Sequence, residues 1–181
     1  MNIFVLNECP IESANEMCDK HVVKMPTESL QMISTCLDYY GFESPYRPVM
    51  LNHPCTMWAR RSRQNMQWLV DHAYALCHTY TERYGKVHKV ETTLDKYADE
   101  IAKLLDFLTD KGLTPFALAM PDEYKDYDDV TKSYQDYYLG DKWYFAEWRL
   151  GKPDWYPANH MSNKRKELEE RRIKHVMDRK V

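Results

Sequence analysis

The stretch Cys18-Asp19-Lys20-His21-Val22-Val23-Lys24-Met25-Pro26-Thr27-Glu28 gathers an imidazole, two ammonium groups, a thiol and a carboxylate into about three helical turns. His21 and Glu28 stand seven residues apart. At about 3.6 residues per turn, that spacing returns to nearly the same helix face. A base and a carboxylate on one face, flanked by lysines, suit acid–base work on an anionic substrate. The same spacing also suits a plain helix surface whose His and Glu make routine hydrogen bonds. A second polar cluster, Asn52-His53-Pro54-Cys55, could be the partner of the first across a cleft.

Other chemistries draw on the same residues. Cys18-x-x-His21 and His53-x-Cys55 together offer four zinc donors, but neither pair follows a familiar zinc framework, which argues against a metal. Cys18 beside Lys20 and His21 could be an activated thiolate or a buried structural thiol, and no protease or phosphatase signature surrounds it. His72 and His78 are six apart and fall on different helix faces, which argues against a ligand pair. Arg60, Arg61 and Arg63 form a compact basic cluster at the start of a long helical pattern. Arginine offers phosphate a bidentate fork, and arginines at a helix N-terminus do not complement the helix dipole, so phosphate contact competes with a solvated face. In the aromatic set Trp143, Tyr144, Phe145, Trp148, Trp155 and Tyr156, most rings are expected to fill core; one or two could stack on an extruded base.

The elements that must position these groups read as helices. Ile3 to Leu6 suits a short strand or a buried extended arm. Ser13-x-x-Glu16 reads as a capping box opening a helix that continues through Met17, His21 and Lys24. Pro26 predicts a kink or break, after which Thr27 to Tyr40 is helical and Gly41 closes it. Apolar residues recur at helical spacing from Thr56 to Tyr84, with Gly85 as the stop, and from Leu94 to Leu108, closed by Gly112. Asp129 to Leu139 and Lys142 to Trp148 suit two short helices, and Ser162 to Lys180 a charged one on the surface or leaving the domain. The fold expected is all-α: a single compact helical bundle with an extended N-terminal segment and long aromatic-rich loops. Residues 1–160 would form the domain and 161–181 a charged helix or tail.

Composition narrows the partners. Over 181 residues the formal net charge is −3, which is not the footprint of a strong nonspecific DNA binder. The charge is uneven: Leu94 to Gln135 is acidic by ten groups to five, and Ser162 to Val181 basic by eight to four. A local basic groove on an acidic body fits this pattern. Five cysteines, an odd number, suit free thiols in a reducing cytosol. No stretch approaches the roughly 20 apolar residues of a membrane span, and the apolar run near Met1 lacks the basic flank of a signal peptide.

Asp19-Lys20-His21 followed by Glu28, then Asn52-His53-Pro54 leading into a long helix with Trp58, and a late Trp155-Tyr156, resemble the phage pyrimidine-dimer DNA glycosylases of the endonuclease V type. The chain is also similar to tailed-phage proteins of unassigned activity that carry its Cys-Asp-Lys-His, Asn-His-Pro-Cys and Ala-Met-Pro-Asp-Glu-Tyr strings. The first resemblance implies a helical bundle with its N-terminal segment threaded into the core, Glu28 as the catalytic carboxylate, and His21 as the histidine beside it. It implies an N-terminal α-amine that attacks C1′, expels the base and forms a Schiff base; an amine with a pKa near 8 keeps a useful neutral fraction. Lys24, His53, Arg60, Arg61 and Arg63 would hold substrate or phosphate, and Trp148, Trp155 and Tyr156 would stack on a base. Four features differ from that family: Asn2 follows Met1 where a small residue is usual, Thr27 replaces an arginine before the glutamate, and the insertion between Leu94 and Pro121 and the charged tail have no counterpart. A glycosylase in which Glu28 activates water needs no amine. The expectation is therefore a cofactor-free glycosylase acting on DNA or a nucleotide in the host cytoplasm. The alternative is a non-catalytic phage protein that sequesters a nucleotide or binds a host defence protein.

Overall fold

The two long apolar stripes become the two longest helices of the domain core, α2 (Asp19–Tyr39) and α4 (Arg63–Tyr84), in a computed structural model that describes residues 1–178. Around them lie α1 (Pro10–Glu16), α3 (Pro54–Ala59), α5 (Lys89–Lys96), α6 (Ala98–Phe107) and α7 (Val130–Tyr137), with α8 (His160–Asp178) last. No strand occurs among the described residues, so the architecture is all-α as expected. α4 packs against both α2 and α1, and Leu30, Ile33 and Leu37 of α2 join Met66, Leu69 and Leu76 of α4 in one core. No described helix is long and apolar enough to cross a membrane.

The first residues form a buried extended arm rather than a strand. Ile3, Val5 and Leu6 are fully buried in the core, each contributing about 1.5–3 kcal/mol of apolar burial. Phe4 sits at a φ of 45°, a left-handed conformation that is strained for an aromatic residue. Two contacts hold it there: the Asn2 side-chain oxygen accepts from the Ile3 and Phe4 amides, at 2.7 and 3.1 Å, and the Phe4 ring stacks on Tyr137.

Several boundaries differ from the periodicity reading. Ser13 does not cap a helix: α1 begins at Pro10, and the buried Ser13 hydroxyl instead donates to the Phe4 carbonyl and accepts from the Leu6 amide. α1 stops before the His21 helix because Arg83, reaching from α4, takes the Asn15 and Met17 carbonyls at 2.6 and 2.7 Å and pairs with Asp19 at 3.0 Å. Pro26 does not break the helix; α2 runs through it. A proline leaves the carbonyl four residues earlier, here Val22, without its helix donor, and in the same turn the Val23 carbonyl accepts from His88 Nε2 at 3.2 Å. The 56–84 pattern divides at Arg60–Ser62, where Ser62 caps α4 by accepting from Asn65. The 94–108 pattern divides at Tyr97, and Gly112 lies in the following loop rather than at the helix end. After α7 the chain widens into a π-helical turn, Tyr138–Lys142, and then tightens into a 3₁₀ turn, Trp143–Phe145, in place of a second short helix. α8 is charged and largely exposed through His175, as expected; its expected last residues, 179 and 180, lie outside the described residues.

Candidate active site

Glu28 stands two residues past Pro26 on α2, its side chain only 13% exposed. The arm returns the start of the chain to it. The Asn2 amide donates to Glu28 Oε2 at 3.0 Å, and the Met1 nitrogen lies 3.7 Å from the same oxygen. Lys24, one turn earlier, reaches Glu28 Oε1 at 2.8 Å. The Asn2 side chain anchors the arm by donating to the Ala119 carbonyl at 2.7 Å. These groups line a cavity of about 450 Å³ together with Phe4, Lys20, His21, Tyr137, Lys142 and Phe145. That volume is within the range of about 300–1,000 Å³ usual for small-ligand sites.

His21 is buried at one side of this cavity, its ring 4.3 Å from Phe4 and 5.3 Å from Phe145 between centroids, and Nδ1 hydrogen-bonds the Tyr138 hydroxyl. Burial, with the Lys142 and Lys24 charges adding to it, lowers its pKa to about 3. The imidazole is therefore neutral at physiological pH, a ring that shapes the cavity and takes hydrogen bonds rather than one that cycles a proton. His53 caps α3, its Nδ1 accepting from the Cys55 amide at 3.2 Å, so Nε2 carries the proton of the neutral ring. Burial and the nearby α-amine push its pKa down while Glu28 opposes them. His53 thus feels the site's charges without lining the Glu28 cavity.

The arginines lie elsewhere. Arg60 stacks on Tyr39 and donates to the Leu51 carbonyl at 2.5 Å, at the C-terminal end of α3. With Arg61 it lines a separate cavity of about 750 Å³ beside Pro54, Trp58 and Phe116. The segment Ala117–Ala119 runs between the two cavities. Arg63, the first residue of α4, donates to the Leu105 and Asp106 carbonyls at 2.8 and 3.3 Å. Its charge serves the C-terminal end of α6, which resolves the dipole conflict seen in the sequence. Trp148 and Trp155 both donate to Glu16, to its backbone and side-chain oxygens, and Tyr156 is buried against them. This cluster backs the site, with Trp155 edge-on to Tyr138, and none of the three lines the Glu28 cavity.

The sulfur chemistry finds no support. Cys18 and Cys55 are buried, and burial raises their thiols to about 11 and 12, so both stay protonated. Among the described residues no three His, Cys, Asp or Glu side chains converge to hold a metal ion.

The rings and the second wall were not singled out from the sequence: Phe4, Tyr137, Tyr138 and Lys142 come from the arm and from residues far beyond Glu28. The one hint was Phe145, a member of the dense aromatic set.

The family profile for pyrimidine dimer DNA glycosylases matches residues 1–92, which carry Glu28, His21, His53 and the arm. The chain belongs to that family. Neither a curated protein nor a solved structure matches it. Membership makes it a DNA glycosylase by family, and DNA the substrate class. The matched region ends before Ala119, Tyr137, Lys142 and Phe145, so the family-matched part supplies the Glu28 wall and this chain's second half supplies the other.

Proposed function

We propose that the Glu28 cavity cleaves an N-glycosidic bond in damaged DNA, with a backbone α-amine as nucleophile and Glu28 as its electrostatic and proton-handling partner. The observation that carries this reading is the meeting of the chain's first two nitrogens with one half-buried carboxylate. In a chain that starts at Met1 the amine is 3.7 Å from Glu28. In a chain that starts at Asn2 the nucleophile would be the nitrogen that now donates to Glu28 at 3.0 Å. Either amine can attack C1′ and expel the base as a Schiff base forms. Glu28 then stabilises the cationic intermediate and accepts a proton during strand elimination. Neutral His21 and the Phe4, Tyr137 and Phe145 rings give the sugar and base an apolar wall.

Borohydride trapping tests this directly. Incubation with DNA containing a pyrimidine dimer or an abasic site, followed by reduction, should yield a covalent protein–DNA adduct, and intact mass should show which residue carries the amine. Glu28→Gln should slow turnover by roughly 10²- to 10⁴-fold while leaving DNA binding in place. An undiminished rate in Glu28→Gln would remove the carboxylate from the mechanism. Turnover without any trapped adduct would replace the amine by water activated at Glu28.

A further inference from the structure

The Glu28 cavity is more basic than a carboxylate–amine mechanism requires. Lys20, Lys24 and Lys142 all line it, and Glu28 is the one acidic residue among its lining. Lys24 is held by Glu28, but Lys20 and Lys142 have no carboxylate within 4.0 Å among the described residues. Their ammonium groups rest over aromatic faces instead: Lys20 Nζ is 5.4 Å from the Phe145 ring centre, and Lys142 Nζ is 4.4 Å from that of Tyr137. A ring face steadies an ammonium without neutralising it. The His21 imidazole, neutral through burial and through the Lys142 and Lys24 charges themselves, adds no charge of its own. On a chain of net charge −3 this is a concentrated positive pocket.

The backbone around Lys142 is unusual as well. The π-helical turn Tyr138–Lys142 starts with the hydroxyl that engages His21 and ends with a lysine that lines the Glu28 cavity. Such single turns are rare and recur at functional sites. Gly140 lets Tyr124 pack close against this turn: a Cβ there would meet the ring, with Cε1 and Cζ at 2.5 Å.

We infer that Lys20, Lys24 and Lys142 form a phosphate subsite of the Glu28 cavity, with Lys142 as the contact contributed by the half of the chain outside the family-matched region. The ligand is a nucleotide phosphate, either a diester of the DNA backbone or the monoester of a free nucleotide. The inference rests on the proposed function for its ligand class but not for the cleavage chemistry.

The test uses the full-length protein and two probes. One is a DNA duplex bearing a tetrahydrofuran abasic analogue, which offers no base to expel. The other is deoxythymidine 5′-monophosphate, with deoxythymidine as its phosphate-free control. Lys20→Gln and Lys142→Gln, both checked for unchanged melting, should each make the slope of log K against log salt shallower by about 0.9 on the duplex. Lys125→Gln, whose lysine pairs with Asp122 on the surface, should keep the wild-type slope. Lysine-dependent binding of the monophosphate but not of deoxythymidine would identify a free nucleotide as the source, and lysine dependence on the duplex alone would identify the DNA backbone. Wild-type slopes in both lysine variants, or no phosphate-dependent binding by wild type to either probe, would overturn the subsite. Lysine-dependent probe binding with no cleavage of dimer DNA would sink the reaction and leave the subsite standing. Cleavage with unchanged slopes would do the reverse.

Discussion

At the scale of single residues, burial decides what the imidazoles do. His21 and His72 are both driven to about 3 by burial, whereas a histidine in the unfolded chain takes a proton near 6.5. Between those values the unfolded state binds more protons than the folded one, so stability rises with pH there and is lost as pH falls from 6.5 toward 3. The ceiling is about 1.4 kcal/mol per pH unit for each histidine. Melting temperature should therefore drop between pH 7 and pH 5. His72 is the cleaner probe, because both of its ring nitrogens lack a partner among the described residues and its ring stacks on Trp68 at 4.8 Å. His72→Phe keeps the stack, removes two unsatisfied polar atoms and cannot take a proton. It should raise stability at pH 7 by about 1–3 kcal/mol and flatten the acid limb of the melting curve. A variant that melts below wild type at every pH would contradict this account. The sequence showed that His21 had chemistry to offer. It could not show the protonation state, because the groups that bury the ring, Phe4, Tyr138 and Phe145, lie far away along the chain.

At the scale of elements, periodicity found the helices and missed their breaks. Breaks are set by tertiary partners that a local window cannot see. Arg83 ends α1 by taking carbonyls at its end, and His88 reaches across to the Val23 carbonyl in the turn before Pro26. His88 fulfils two duties as one tautomer: Nδ1 accepts from the Val90 amide to cap α5 while Nε2 donates to Val23. Arg63 shows the same logic. Its place in a basic cluster suggested phosphate, yet its donors bind the end of α6. Arg63→Gln should thus lower stability by about 1–3 kcal/mol, the value of hydrogen bonds from a charged donor, and leave the salt dependence of DNA binding unchanged. Chemical denaturation and a salt titration read the two arms separately. A shallower salt slope at unchanged stability would return Arg63 to the phosphate-binding role.

At the scale of the whole molecule, the site is assembled from two halves of which only the first carries the family pattern. Residues 1–92 hold Glu28, the arm and His21. The second half holds the arm's anchor at the Ala119 carbonyl, the Tyr138 hydroxyl on His21, and the Tyr137, Lys142 and Phe145 wall. It also completes the core with Leu94, Ile101, Leu104, Tyr134 and Tyr138. Of the motifs that carry the resemblance, Lys20, His21 and Glu28 line the cavity and Asn52-His53-Pro54 does not, and nothing in those motifs reports the wall packed against Glu28. α8 stands apart from this division. His160 donates to the Leu139 carbonyl at 2.7 Å, but from Arg165 to His175 the helix is exposed. Two truncations separate these contributions. From Ser162 to His175, a chain ending at Met161 loses only exposed or part-exposed positions of α8, so its melting temperature should stay within about 2 °C of the full chain, with trapping on abasic DNA retained. A chain ending at Thr92 keeps the whole family-matched region but exposes the core faces of α2 and α4 and frees the arm. It should show no cooperative melt and no trapped adduct. A cooperative melt with trapping in the shorter chain would mean that the second half is an accessory to a site already complete without it, and would leave Lys142 and Tyr137 with no part in the reaction.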